Sequence, residues 1–306
     1  MKHVSFFISC LFLAIVFQAK AQISHDDLSN LLIGSGDPTT STYGTDLDAD
    51  KLNAIFCEGD GRTLTLTAGA DFQDTDGNTI AYAEWEWHRI NAAGGGTPVQ
   101  GKSDDRTFSI PLASLDVGYN VFRAYGYQNV SDVDCPSLPE DFVIFILPEL
   151  HPVVNVTGGE NNLVYCANQV PGVDNGGDVT SDNGEPIVFT LQPASIDRTF
   201  TPYNDLNGLE ISNFKLNYKW YKLTLDGSGD VDSEALISGA TSTSYTVPPT
   251  DNTVGSYKYE LRISYDVNTA CGPYNAIAQA GGTDATIIVT PQPGKPKITI
   301  SADTTP

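Results

Sequence analysis

Twice along this chain the same succession recurs: a cysteine, an alternating strand, a tryptophan strand, a short strand, a tyrosine strand, a second cysteine and a last apolar strand. The first copy opens at Cys57 and runs through "RTLTLTA", "AYAEWEWHRI", "TFSIPL" and "YNVFRAYGY" to Cys135 and "FVIFILP". The second opens at Cys166 and runs through "PIVFTLQ", "FKLNYKWYK", "SYTVPP" and "GSYKYELRISY" to Cys271 and "ATIIVTP". Within each segment apolar and polar residues alternate with period two, the mark of a strand with one face in a core and the other in water. Leu64 and Leu66 share a face, as do Ala83, Trp85 and Trp87. In the second copy Phe214, Leu216, Tyr218 and Trp220 share one, and Tyr257, Tyr259, Leu261 and Ile263 another. Helical periodicity is nearly absent. Two copies of this order predict an all-β chain of two tandem β-sandwiches.

The start of the chain changes the compartment in which this reading applies. "MKHVSFFISCLFLAIVFQAKAQ" has a basic start, an apolar run and a small-x-small end at Ala19-Lys20-Ala21. It reads as a signal peptide over residues 1–21, with a run too short for a spanning helix of about 20 residues. An N-terminal segment follows over 22–48, then a first domain over 49–148 and a second over 151–292. The second carries long insertions at 167–185 and 193–213. Loops beyond about 12–15 residues are often functional, so these are where a binding surface is expected. "KPKITISADTTP" (295–306) has the form of "HPVVNVTGGENN" (151–162) and reads as the first strand of a truncated third repeat.

Export makes disulfides the natural state of the four cysteines beyond the signal, Cys57, Cys135, Cys166 and Cys271. Four cysteines allow three connectivities. The repeat selects Cys57 with Cys135 and Cys166 with Cys271, one staple per sandwich. No Cys-x-x-Cys is present, and the histidines do not cluster in sequence, so cysteine ligation of a metal is not expected.

As a set, "CEGDGRTLTLTA" (57–68), "YKWYK" (218–222), "LISGATSTSYTVPP" (236–249) and "VGSYKYELRIS" (254–264) resemble the Ig-like repeats of large surface proteins exported by Bacteroidota, many through the type IX route. The resemblance covers most of residues 50–292. It implies immunoglobulin-like sandwiches in which Trp87 and Trp220 are the inward tryptophans and Tyr257 makes the tyrosine-corner hydrogen bond. Asn120 stands where the second copy has Tyr257, so no such corner is expected in the first. The family implies adhesion, surface-layer spacing or accessory modules on secreted enzymes. It implies no shared catalytic residue, and fold alone does not fix function.

No nucleophile elbow, His-Glu-x-x-His or phosphate loop in strand-to-helix context occurs, and no catalytic residue is assigned. With 16 basic against 38 acidic residues and a formal charge of −22, the surface repels nucleic acid and anionic membrane. Calcium takes clustered hard oxygens, and Asp46, Asp48 and Asp50 in "DLDAD" are the candidate set, although no EF-hand register is completed. "DTDGN" (74–78) is explained as a hairpin turn without an ion. No other cofactor is expected.

The sequence therefore predicts a non-enzymatic, extracellular or cell-surface segment of an adhesin-like protein. It would act as spacer and loop-presented binding surface for a surface protein or a polysaccharide. The alternative is a glycan-binding accessory module of a secreted multidomain enzyme.

Overall fold

The computed structural model describes residues 32–33, 54–73, 76–91, 94–130, 133–157, 163–167, 186–197, 200, 214–248, 253–267 and 270–298. The signal peptide, Asp46, Asp48, Asp50, most of both long insertions and residues 299–306 lie outside them. The fold is all-β.

The first eleven strands are β1 (Leu32–Ile33), β2 (Ala54–Cys57), β3 (Thr63–Thr67), β4 (Asp71–Gln73), β5 (Thr79–Ala81), β6 (Glu84–Ile90), β7 (Gly96–Ser103), β8 (Thr107–Pro111), β9 (Gly118–Val130), β10 (Val133–Pro136) and β11 (Glu140–Leu147). The main sheet has the order β1-β2-β11-β9-β6-β7, with β10 added to β9. The facing sheet is β3-β8, and β4-β5 is a separate hairpin. The alternation of "TLTLT" explains the packing. Leu64 and Leu66 are buried while the three threonines face water. The two leucines and Ile110 meet Phe56, Trp87, Phe122, Ile144 and Ile146 in one core. Each such side chain contributes roughly 1.5–3 kcal/mol on burial. Ala83, predicted inward with the tryptophans, is instead exposed, because it precedes the first residue of β6.

The remaining strands are β12 (Val154–Thr157), β13 (Val164–Cys166), β14 (Val188–Leu191), β15 (Leu216–Leu225), β16 (Val231–Leu236), β17 (Ser244–Thr246), β18 (Gly255–Tyr265), β19 (Tyr274–Ala280), β20 (Thr283–Asp284) and β21 (Ile287–Thr290). They form a continuous sheet system with the path β13-β21-β18-β19-β12-β14-β17, and β15 joins β18 to β16. The last strand is split: β21 pairs with the start of β18 and β19 with its later part. Both halves share one strand plan. A short strand runs parallel to the last strand, as β2 does on β11 and β13 on β21.

The two copies superpose in register. Trp87 lies opposite Ala124 on β9, and Trp220 opposite Leu261 on β18. Four residues before those partners stand Asn120 and Tyr257. Of the segment expected to begin a third repeat, 295–306, only residues 295–298 are described and the rest lies outside the described residues. Residues 291–298 carry no strand, and Ile298 is 85% exposed.

Candidate functional site

Residues of both sandwiches share one buried cluster at the seam between them. Strand β11 comes from "EDFVIFIL", an unbroken apolar run from Phe142, and both of its faces are covered. Ile144 and Ile146 face the N-terminal core. Phe145 and Leu147 face the other way, into a cluster shared with Phe189, Trp220, Tyr259 and Tyr265 of the C-terminal sandwich. Strand β2 divides likewise: Phe56 points to the first core, and Ile55 joins the shared cluster.

Phe145 is fully buried and meets three aromatic rings. Tyr119 lies 4.9 Å away, Phe200 5.0 Å and Phe214 5.3 Å, centroid to centroid. Phe200 also sits over Gly118, whose φ of +94° is a conformation that side chains rarely adopt. Polar contacts complete the seam. The buried Tyr265 hydroxyl donates to the Pro148 carbonyl at 3.0 Å, and the Glu149 N–H donates to Glu58 at 2.8 Å. Burial, with Glu149 and Glu58 nearby, pushes the Tyr274 phenol up to about 12.

One disulfide crosses this seam, and it is not a predicted one. Cys57 is bonded to Cys271, with Cα atoms 5.4 Å apart. The pairings Cys57–Cys135 and Cys166–Cys271 do not form, for one geometric reason in both copies. Cys57 is level with Leu147, next to the residue paired with Gly118 at the start of β9. Cys135 is paired with Gln128, ten residues further along that strand. At about 3.4 Å per residue the two lie roughly 30 Å apart, far beyond the ~7 Å limit for Cα atoms of a disulfide. Cys166 and Cys271 are likewise at opposite ends of β18: Cys166 pairs with Thr290 beside its start, and Tyr265 at its end donates its N–H to the Cys271 carbonyl. The sandwiches stack so that the far end of β18 meets the end of β2, which brings Cys271 to Cys57. Cys135 is an exposed thiol, and Cys166 accepts a hydrogen bond from Thr290 Oγ1.

The signature residues lie where the alternation puts them. Trp87 is 3% exposed and stacks on Phe108. Trp220 is fully buried, stacks on Phe189 and donates its Nε1–H to the Ser242 carbonyl at 2.9 Å. Tyr257 donates its hydroxyl to the Thr253 carbonyl, four residues back, at 2.9 Å. The first copy keeps this contact with a different side chain. Asn120 donates Nδ2–H to the Asp116 carbonyl, also four residues back, at 2.6 Å. Its Oδ1 accepts from Arg89 at 2.8 Å. The aligned "VGYN" and "VGSY" carried this signal, but the smaller residue hid it.

The outward sheet faces are polar and laced with ion pairs. On the first, Tyr127 donates to Glu86 at 2.6 Å, His88 stands 3.3 Å from Glu86, and Lys102 lies over the Tyr127 ring at 3.9 Å. Burial and the Glu86 carboxylate push the Tyr127 phenol up to about 12. Arg123 grips the nearly buried Asp141 with two hydrogen bonds, which raises its own pKa. On the second, Arg262 holds Glu234 and Glu260 and lies over the Tyr221 ring at 3.9 Å. A groove of about 690 Å³ runs beside it, lined by Asn217, Tyr218, Lys219, Tyr221, Arg262 and Pro273 among others. Among the described residues no three His, Cys, Asp or Glu side chains converge on a possible metal position. No described helix is long and apolar enough to cross a membrane.

No family model matches the chain, and no curated protein does. Solved structures with a similar arrangement include one described as the structural basis for Dscam isoform specificity, at 10% identity and a TM-score of 0.27, covering 79% of this chain and 44% of that one. Another is the N-terminal four Ig domains of Dscam1 isoform 9.44, at 10% identity and a TM-score of 0.26, covering 78% and 43%. A third is the apo structure of Bacteroides uniformis beta-glucuronidase 3, at 12% identity and a TM-score of 0.18, covering 73% and 22%. The chain thus spans less than half the length of each.

Proposed function

We propose that this chain is a non-enzymatic, exported tandem of Ig-like sandwiches that works as a stiff spacer and holds out binding surfaces at a cell exterior. The single observation that supports this is the seam. A disulfide between residues 214 apart closes over a core to which both sandwiches contribute. Such a joint resists bending far more than the short proline-flanked linker "LPELHP" would alone. A structural disulfide suits an oxidising compartment, in keeping with the signal-like N-terminus. Placement among surface proteins of Bacteroidota, and any type IX export, rest on the sequence resemblance.

The binding surfaces would be the two outward faces together with the loops around 167–185 and 193–213. Small-angle scattering of the exported chain tests the spacer role. One fixed arrangement of the two sandwiches should fit the data, and a requirement for a broad ensemble of bent forms would overturn the reading.

Glycan binding is the second reading, favoured by the groove beside Tyr221. Asn217, Lys219 and Arg262 offer donors there, but the Tyr221 ring is already covered by Arg262. A glycan array with Tyr221→Ala as the control decides it.

A further inference from the structure

We propose that the groove beside β15 holds a uronic-acid unit of an acidic polysaccharide, with the Lys219 ammonium taking its carboxylate and the hydroxyls around it taking its alcohol groups. This rests on the glycan reading above and names the ligand class for that site.

The strand register places the groups. On β15 the outward Asn217 and Lys219 lie opposite Ser264 and Arg262 on β18. Residues directly opposite on an antiparallel pair share a face, so two cations stand side by side at Lys219 and Arg262. Like charges so placed repel, and an anion bound beside them offsets that repulsion. Lys215, Tyr218, Lys219, Thr241, Arg262 and Ser264 are among the residues that line the groove, whose volume is about 690 Å³. No Asp or Glu is among its described lining residues.

Which of these groups is already engaged decides the ligand. In a chain with 38 acidic residues a lysine finds a carboxylate easily. Lys102 holds Asp134, Lys215 holds Asp266 and Lys258 holds Asp284. Arg262 holds Glu234 and Glu260. Lys219 is exposed and makes no ion pair or hydrogen bond among the described residues. The groove therefore offers one unspent positive charge, too few for a densely sulfated or phosphorylated polymer. Around that charge stand neutral groups that both donate and accept, the hydroxyls of Thr241, Ser264 and Tyr218. Burial pushes the Tyr218 phenol up, so it stays a neutral hydroxyl. One carboxylate among several alcohol groups is the chemistry of a uronate ring. An acidic peptide would match the cation but not the hydroxyls. Stacking is not the main contact, since Arg262 already lies over the Tyr221 ring at 3.9 Å.

Binding of the exported chain to an immobilised panel is the test. The panel holds oligomers of galacturonic, glucuronic, mannuronic and guluronic acid, the same oligomers with their carboxyls reduced to alcohols, and poly-glutamate. At least one uronate oligomer should bind, and its reduced form should bind at least about tenfold more weakly. Lys219→Met, at an exposed position that leaves the core alone, should cost the uronate a similar factor, and Lys219→Arg should restore most of it. A reduced form that binds as well as the acid, or a Lys219→Met chain that binds as well as the native one, would overturn the proposal and leave the glycan reading standing. Poly-glutamate bound as tightly as the uronate would overturn it in favour of an acidic peptide. Binding to none of the glycans, acidic or reduced, would overturn the proposal and the glycan reading together.

Discussion

Cys57 and Cys271 are joined across the seam between two sandwiches, each at the end of its own unit that faces the other. Closing a 214-residue separation contributes about 5 kcal/mol on the loop-entropy model. Serine at both positions is expected to lower the stability of the chain by that order. Calorimetry should show one transition in the oxidised chain and separated transitions in the variant.

Thiol chemistry offers a direct check of the pairing. Under native, non-reducing conditions a maleimide should label the exposed Cys135. A peptide map should recover Cys57 and Cys271 as one cross-linked species. Recovery of a Cys57–Cys135 peptide would restore the within-repeat pairing and remove the covalent seam.

Phe145 belongs to an N-terminal strand but packs on Phe200 and Phe214 of the other half. Phe145→Ala should cost about 3–5 kcal/mol, because the ring is wholly buried and its neighbours cannot collapse fully into the space. The loss should destabilise both sandwiches together, which denaturation followed separately by tryptophan fluorescence and far-UV dichroism would reveal.

The two corner contacts should differ in cost. Tyr257→Phe removes one hydroxyl donor and should cost about 0.5–1.5 kcal/mol. Asn120→Ala strips a buried amide that serves Asp116 on both its N–H and its carbonyl and also Arg89, and should cost more, about 2–3 kcal/mol. Urea titration of the two variants side by side measures the difference.

Alkaline stability should report the seam. The Tyr274 phenol has an ordinary value of 10 and is raised to about 12 in the fold by burial, Glu149 and Glu58. Its contribution is fully present below about pH 10 and is lost as pH rises towards 12, because only the unfolded chain ionises readily in that window. Melting temperature should therefore fall between pH 10 and 12, and Tyr274→Phe should flatten part of that fall.

Period-two alternation by itself determined most of the strands, most of their inward residues and the all-β class. Leu64, Leu66, Trp87, Trp220 and Tyr257 are buried where alternation places them, because a strand's two faces are set by neighbours in sequence. Even the seam left a trace: the unbroken run "FVIFIL" announces a strand covered on both sides. Tertiary structure alone decided which cysteines meet. Repetition tells which positions are equivalent, but not that equivalent cysteines sit at opposite ends of a sheet, nor that end-to-end stacking makes one unit's entry strand the neighbour of the next unit's far loop.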